Sequence, residues 1–192
     1  MLSEIENFEI KTLDETNYIE PVMLHYRQGE VEKRWEAVKS HESVAVLLYH
    51  KTKRAFVVVK QFRAPVYMHH AEHPCTYELC AGIVDKEASL KQIAKEEIDE
   101  ECGYDVPLGD IHEITSFFTN VGISGAQQSL FFAMVDEEMQ VHDGGGIHDE
   151  EIVVEYILVE QCKAFIYDTS KAKTPGLMFA FYWFLENYPE LA

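Results

Sequence analysis

Two glutamates on a predicted helix that starts after Ser89 are the residues with the clearest chemistry. At about 100° per residue, Glu97 and Glu101 fall within roughly 20° of Leu90, on the apolar stripe that also carries Ile93. Two carboxylates four residues apart on an inward face repel each other, and each is costly to desolvate without a partner. A divalent cation with oxygen ligands satisfies both carboxylates. Structural salt bridges to Arg or Lys from another element are the alternative.

Two other segments contain residue types that bind metals or phosphates. The loop with His69, His70, His73 and Cys75 has a zinc-like composition but lacks a second half-site, so exposed loop histidines are the competing interpretation. Residues Gly144–Gly146 lack the spacing and the following Lys of a phosphate-binding loop. We interpret the run 142–151 as a mobile loop that brings Glu150 into place, with a plain linker as the alternative.

The elements that position these residues follow from hydrophobic patterning. Ser89 and Gly103 predict the two ends of the glutamate-bearing helix over 89–101, and Thr174-Pro175 predicts the start of an apolar closing helix. These elements indicate an α/β fold in which helices cover a mixed sheet. The strand-like runs are 22–28, 31–38, 44–49, 56–62, 76–82, 111–119, 129–135 and 151–158.

The first 42 residues are predicted to form a separate, small antiparallel β-sheet. Two strand-like runs flank the turn at Gly29-Glu30. A two-stranded ribbon is marginally stable alone, so it must pack on the main domain, residues 43–192, or on a second subunit. We expect residues 1–42 to build a homodimer, and the alternative is a sheet folded against its own domain.

Composition limits the functional class. The chain has 192 residues, with 34 Asp plus Glu against 16 Lys plus Arg, for a net charge of −18. Such a surface repels a phosphate backbone, so we expect no nucleic-acid partner. The lack of a membrane-spanning run or a signal pattern predicts no membrane partner and a cytoplasmic location. The four cysteines, without a CxxC pair, are expected to be reduced and mostly buried.

The segment from Gly82 to Tyr104 resembles the Nudix box, G-x5-E-x7-R-E-U-x-E-E-x-G-U, in which U is apolar. Its E-x-x-E-E-x-G core matches fully. Two positions depart from the pattern, because Ala88 stands where the first Glu belongs and Glu96 replaces the Arg. In the family these two residues mostly brace the loop and helix, so the departures bear on local rigidity more than on metal binding.

The flanking segments resemble the UDP-sugar pyrophosphatase branch, which is related to the ADP-ribose pyrophosphatases. The matching stretches include LHYRQ, VVVKQFRAPVY, YELCAGIVD and TPGLMFAFYWFL, within residues 22–185. This resemblance implies a Nudix α/β/α sandwich and hydrolysis of a UDP-glucose-like substrate to UMP and a sugar 1-phosphate. The alternatives are an ADP-ribose diphosphatase, which gives AMP and ribose 5-phosphate, and a non-catalytic binding module.

The same resemblance implies a metal site for Mg²⁺ or Mn²⁺. Its ligands are the main-chain carbonyl of Ala81 and the carboxylates of Glu97 and Glu101, with Glu100 assisting. Glu101 is also implied in catalysis through the metal that it holds.

The resemblance also implies residues for the substrate and the attacking water. Arg63 contacts the diphosphate, and Glu150 acts on the water, with Glu151 as the fallback. An Arg-x-Glu-like element of the relatives is represented here by Trp35-Glu36. The Arg contact is therefore missing, and we expect Trp35 to stack on the base, contributed across the dimer.

Overall fold

A seven-stranded mixed sheet with helices on both faces forms the main body of a computed structural model that describes residues 2–191. This arrangement confirms the predicted α/β/α sandwich. The helices are α1 (Ala64–His69), α2 (Leu90–Cys102), α3 (Cys162–Tyr167) and α4 (Pro175–Asn187). The strands are β1 (Glu20–Gln28), β2 (Val31–Lys39), β3 (Ser43–His50), β4 (Ala55–Gln61), β5 (Thr76–Glu78), β6 (Cys80–Ile83), β7 (His112–Phe118), β8 (Gln127–Val135) and β9 (Ile152–Leu158).

The centre of the sheet explains why the runs in β3 and β4 are apolar almost without interruption. Strand β3 pairs in parallel with β8 along its whole length, and β4 pairs antiparallel with β9. Both strands are covered by helices on each face, so Val44–Tyr49 and Ala55–Val59 are buried throughout. A strand buried on both faces has no need for polar alternation.

One predicted strand is in fact two. The run 76–82 breaks at Leu79, because β5 pairs with β4 whereas β6 pairs with β3. The two central strands pair with each other only next to their connecting turn, through Leu48–His50 and Ala55–Val57. Beyond that point the chain from Thr76 to Ile83 pairs with one strand and then with the other. The backbone of β6 is thereby placed at a junction in the sheet.

The two sheet faces carry separate cores. On one face, Ile93, Ala94, Ile98 and Cys102 of α2 are fully buried. The first turn of this helix lies at the periphery, so Leu90, which we predicted to be on the inward stripe, is 37% exposed. On the other face, α4 packs its aromatic side chains against the sheet. Two short helices, α1 and α3, were not predicted from the sequence.

Strands β1 and β2 form the predicted antiparallel ribbon, with Gly29 in a left-handed conformation at the turn (φ +64°). The ribbon contacts the loop before β8, where the Val38 N–H donates to the Ile123 carbonyl at 2.9 Å. Its apolar side chains remain largely uncovered, with exposures of 40–58%. They are Met23, Leu24, Tyr26, Val31 and Trp35. Among the described residues, no helix has the length and apolar character needed to cross a membrane.

Candidate active site

Helix α2 carries the candidate site and begins and ends as the sequence predicts. The Ser89 hydroxyl accepts a hydrogen bond from the Gln92 N–H at 3.2 Å, which caps the first turn. Gly103 ends the helix in a left-handed conformation, and its N–H donates to the Asp99 carbonyl at 2.8 Å. These two ends set the rotation of the helix. Glu101 is thereby directed toward the sheet, as its position on the apolar stripe predicted.

The carboxylate of Glu101 is buried at the junction in the sheet. It is 5% exposed, and its Oε2 accepts a hydrogen bond from the Ala81 N–H of β6 at 2.9 Å. The pKa of Glu101 is raised to about 8, chiefly by burial and also by the nearby Glu97, although the Ala81 N–H and Arg63 act in the opposite direction. The charged form is therefore disfavoured until a cation comes close.

The carboxylate of Glu97 lies against the backbone of β6, one residue further along. A Cβ atom at Gly82 would overlap this carboxylate, so a residue without a side chain is required there. Burial and the neighbouring Glu100 raise the pKa of Glu97 to about 7. Among residues 2–191, no Lys, Arg or His forms a salt bridge with Glu97 or Glu101. The structural salt bridges considered as an alternative are thus not observed.

Arg63 lies at the end of β4, where Glu78 holds its side chain in place. The Arg63 Nε and Nη2 atoms donate to the two carboxylate oxygens of Glu78 at 2.7 and 2.8 Å. The guanidinium is 45% exposed, whereas Glu78 is 11% exposed. This bidentate pair fixes the plane of the guanidinium and leaves Nη1 without a hydrogen bond to Glu78. The sequence analysis missed Glu78, although a carboxylate within a buried strand was a signal for it.

The loop between β8 and β9 is held by its glycines. The N–H groups of Gly145 and Gly146 donate to the carbonyls of Glu101 and Glu100 at 2.9 and 3.0 Å. A Cβ at Gly144 would overlap the Glu101 carbonyl, and its φ of +69° also favours glycine. These contacts anchor the glycines to α2, whereas the mobility of the loop stays a prediction.

The two carboxylates at the end of this loop have different surroundings. The negative charge of Glu150 makes a small contribution to the raised pKa of Glu97, after burial and the neighbouring Glu100. Its Oε2 accepts a hydrogen bond from the Ile147 N–H at 3.0 Å. Glu151 instead accepts two hydrogen bonds from Ser3. Both carboxylate oxygens of Glu151 are thus bound to the N-terminal segment, whereas Glu150 accepts a hydrogen bond only within its own turn.

A lysine replaces the missing brace of the Nudix box. Lys86 forms a salt bridge with Glu96, and Glu96 also accepts a hydrogen bond from Gln92 at 3.0 Å. The loop before α2 is thus tied to the helix by a pair of opposite charges, with the acidic member now on the helix. Sequence analysis noted the departures at Ala88 and Glu96 but missed Lys86, which lies only two residues before Ala88.

Trp35 and Glu36 lie on the ribbon. The Trp35 Nε1–H donates to the Gly122 carbonyl at 2.7 Å, and about half of the side chain remains exposed. Glu36 borders a cleft of about 490 Å³ between the ribbon and Ile123. No hydrogen bond or salt bridge between described residues joins either side chain to the carboxylates of α2. Within one chain they are therefore not part of the same cluster.

The carboxylates of Glu97 and Glu101 have the chemistry that suits a divalent cation. Within residues 2–191, no three His, Cys, Asp or Glu side chains converge on one point, and this holds for Glu97, Glu100 and Glu101. The zinc alternative at His69–Cys75 gains no support for the same reason. However, Glu97 and Glu101 are inward-facing carboxylates with raised pKa values, and a hard divalent cation would supply the positive charge that they lack.

Comparisons with known proteins found relatives that cover nearly the whole chain. No family model matches the chain. The chain is 31% identical to the uridine diphosphate glucose pyrophosphatase of Bos taurus, across 95% of both chains, and 30% identical to that of Mus musculus. It is 33% identical to the GDP-mannose pyrophosphatase of Salmonella typhimurium over 67% of its length and 66% of the relative. The chain therefore belongs to the Nudix hydrolases, in the branch of the UDP-sugar pyrophosphatases.

Proposed function

We propose that this enzyme hydrolyses the diphosphate bond of a UDP-sugar, such as UDP-glucose, to give UMP and a sugar 1-phosphate. The observation that carries the proposal is the pair of inward-facing carboxylates, Glu97 and Glu101, beside the guanidinium of Arg63. This combination suits a doubly charged diphosphate held with divalent cations. The relatives that match along nearly the whole chain are named for the same chemistry.

Glu97 and Glu101 would hold Mg²⁺ with the carbonyl of Ala81, and Glu100 would assist them. When bound, the cations neutralise charge on the diphosphate and support attack by water. The Ala81 N–H already orients the Glu101 carboxylate at 2.9 Å, and Gly82 leaves room for that of Glu97. Both carboxylates therefore lie against the backbone of β6, at neighbouring residues. A bound cation would relieve the repulsion between the two carboxylates, and this relief would increase the affinity for the metal.

Arg63 and Glu150 complete the site that Glu97 and Glu101 form, one for the substrate and the other for the attacking water. Arg63 binds the diphosphate through the edge of its guanidinium that Glu78 leaves open. Glu150 orients the attacking water or takes its proton. Its place at the end of the glycine loop supports this role, because the loop is fixed to the carbonyls of Glu100 and Glu101.

The ribbon recognises the nucleotide across a homodimer. Trp35 stacks on the base of the substrate bound to the partner subunit, and Glu36 lies beside it. The exposed apolar side chains of the ribbon support a dimer, since a two-stranded ribbon with such a surface is marginally stable alone. Residues 1–42 thus form the dimerisation unit and residues 43–192 the hydrolase domain.

A substrate panel tests the proposal. UDP-glucose, GDP-mannose and ADP-ribose are incubated separately with the enzyme and Mg²⁺, and the products are separated by anion-exchange chromatography. We expect UDP-glucose to have the highest kcat/KM and to yield UMP with glucose 1-phosphate. A higher kcat/KM for ADP-ribose would replace the proposal with an ADP-ribose diphosphatase. No turnover of any of the three would favour a binding module.

A further inference from the structure

The first residues of the described chain run across the edge of the candidate site. The Ser3 N–H and Oγ–H donate to the two carboxylate oxygens of Glu151, at 2.8 and 2.6 Å. Five residues later, the ring of Phe8 packs edge-on against Tyr67, with ring centroids 5.1 Å apart. We call residues 2–8 the strap. It is attached at two points to segments that are far away in sequence.

Both attachment points lie next to residues of the candidate site. Glu151 directly follows Glu150, and Tyr67 belongs to α1, the helix that begins after Arg63. The end of β4 lies beside the start of β9 at this edge, because Gln61 pairs with Ile152. The strap therefore links the two chain segments that carry the guanidinium and the water-directing carboxylate.

The turn that carries Glu150 has few other constraints. Within it, the Glu150 N–H donates to the Ile147 carbonyl at 3.1 Å, and His148 adopts a left-handed conformation (φ +55°). Among the described residues, the two hydrogen bonds from Ser3 are the only side-chain hydrogen bonds between residues 147–151 and another segment. Removing them would leave Glu150 on a turn without a side-chain tether.

We propose that Ser3 and Glu151 are positioning residues, and that the strap holds the Glu150 turn at the edge of the site. The proposal rests on the proposed function, because it takes Glu150 as the residue that directs the water. It assigns a separate task to each of two adjacent carboxylates. Glu150 faces the substrate, whereas Glu151 secures the turn.

Steady-state kinetics in the full chain, with UDP-glucose and saturating Mg²⁺, test this assignment. Ser3→Ala and Glu151→Gln should each lower kcat by about 3–10-fold with KM within about twofold, the range expected for losing one or two exposed hydrogen bonds. Ser3→Thr retains the hydroxyl donor and should stay near wild type. The matched control is Ser170→Ala, which removes another 2.6 Å hydroxyl–carboxylate hydrogen bond, from Ser170 to Asp168, between α3 and α4.

A double-mutant cycle shows whether the strap acts through Glu150. Adding Ser3→Ala to Glu150→Gln should cause no further loss of kcat, and an additive loss would overturn the proposal. If Glu150→Gln lowers kcat while Ser3→Ala and Glu151→Gln do not, the strap assignment is wrong and the proposed function stands. If Glu150→Gln itself has no effect, the role given to Glu150 fails, and the strap cannot act through it.

A measurement without substrate keeps the two proposals separate. Hydrogen exchange of the amides in residues 147–151 should become at least about threefold faster in Ser3→Ala and stay unchanged in Ser170→Ala, because weaker local anchoring increases local opening. Unchanged exchange in Ser3→Ala would overturn the strap, whether or not UDP-glucose is the substrate.

Discussion

Replacing Glu101 with Gln should stabilise the metal-free enzyme, which is an unusual outcome for a buried polar residue. The Glu101 carboxylate is 5% exposed, and burial raises its pKa from an ordinary value of 4.5 to about 8. This difference corresponds to about 5 kcal/mol at about 1.4 kcal/mol for each tenfold change in proton affinity. We expect a gain of about 2–3 kcal/mol from Glu101→Gln, because the new NH₂ group needs an acceptor of its own.

The sign of the pH dependence follows from proton linkage. The folded state binds the Glu101 proton more tightly than the unfolded chain does. Wild-type stability therefore falls as pH rises from about 4.5 to about 8, and the full penalty applies above that range. Gln carries no charge at any pH. The advantage of Glu101→Gln should thus be near zero at pH 4.5 and greatest at pH 8.5.

Thermal unfolding of both proteins in EDTA, from pH 4.5 to pH 8.5, measures this difference. For a chain of this length the expected gain raises Tm by about 5–10 °C at pH 8.5. Glu87→Gln, at an exposed position before α2, is the matched control and should show no pH-dependent gain. A variant less stable than wild type at pH 8.5, or a gain equal at all pH values, would refute the reasoning. Adding Mg²⁺ should reverse the order, because only wild type keeps both carboxylates.

Three further predictions concern other parts of the molecule. Arg63→Lys should raise KM for UDP-glucose about tenfold, because an ammonium lacks the guanidinium fork, and an unchanged KM in steady-state kinetics would contradict this role. Lys86→Glu should lower Tm by about 1–3 °C, and adding Glu96→Lys should restore it. If calorimetry finds no recovery of Tm in the double variant, the Lys86–Glu96 salt bridge does not brace the loop. Deleting residues 1–42 should abolish dimerisation and raise KM steeply. Light scattering that finds a fully active 22.1 kDa wild-type species on dilution would contradict the dimer.

Local sequence signals predicted the part of the site that lies on α2. Ser89 and Gly103 fixed the ends of the helix, and its periodicity then placed Glu97 and Glu101 on the inward face. Both signals act within a few turns of one helix, so no knowledge of the rest of the fold was required. Leu90 departs from this pattern, because it is the first residue of the helix and remains 37% exposed.

The features that the sequence analysis missed depend on contacts between residues that are far apart in the chain. The break at Leu79 depends on how far β3 and β4 stay paired, which cannot be read from the strand itself. The distinction between Glu150 and Glu151 depends on Ser3, which is 148 residues away from Glu151. Adjacent carboxylates look equivalent in a sequence until a distant partner binds one of them.

Product formation from UDP-glucose in the two carboxylate variants tests the central claim most directly. Release of UMP and glucose 1-phosphate is followed by ³¹P NMR with Mg²⁺ and again with EDTA, for wild type, Glu97→Gln and Glu101→Gln. We predict turnover only with the cation, and a loss of kcat by about two or more orders of magnitude in each variant, with the fold retained. Near-wild-type turnover in both variants, or turnover that EDTA does not reduce, would contradict a metal site on Glu97 and Glu101.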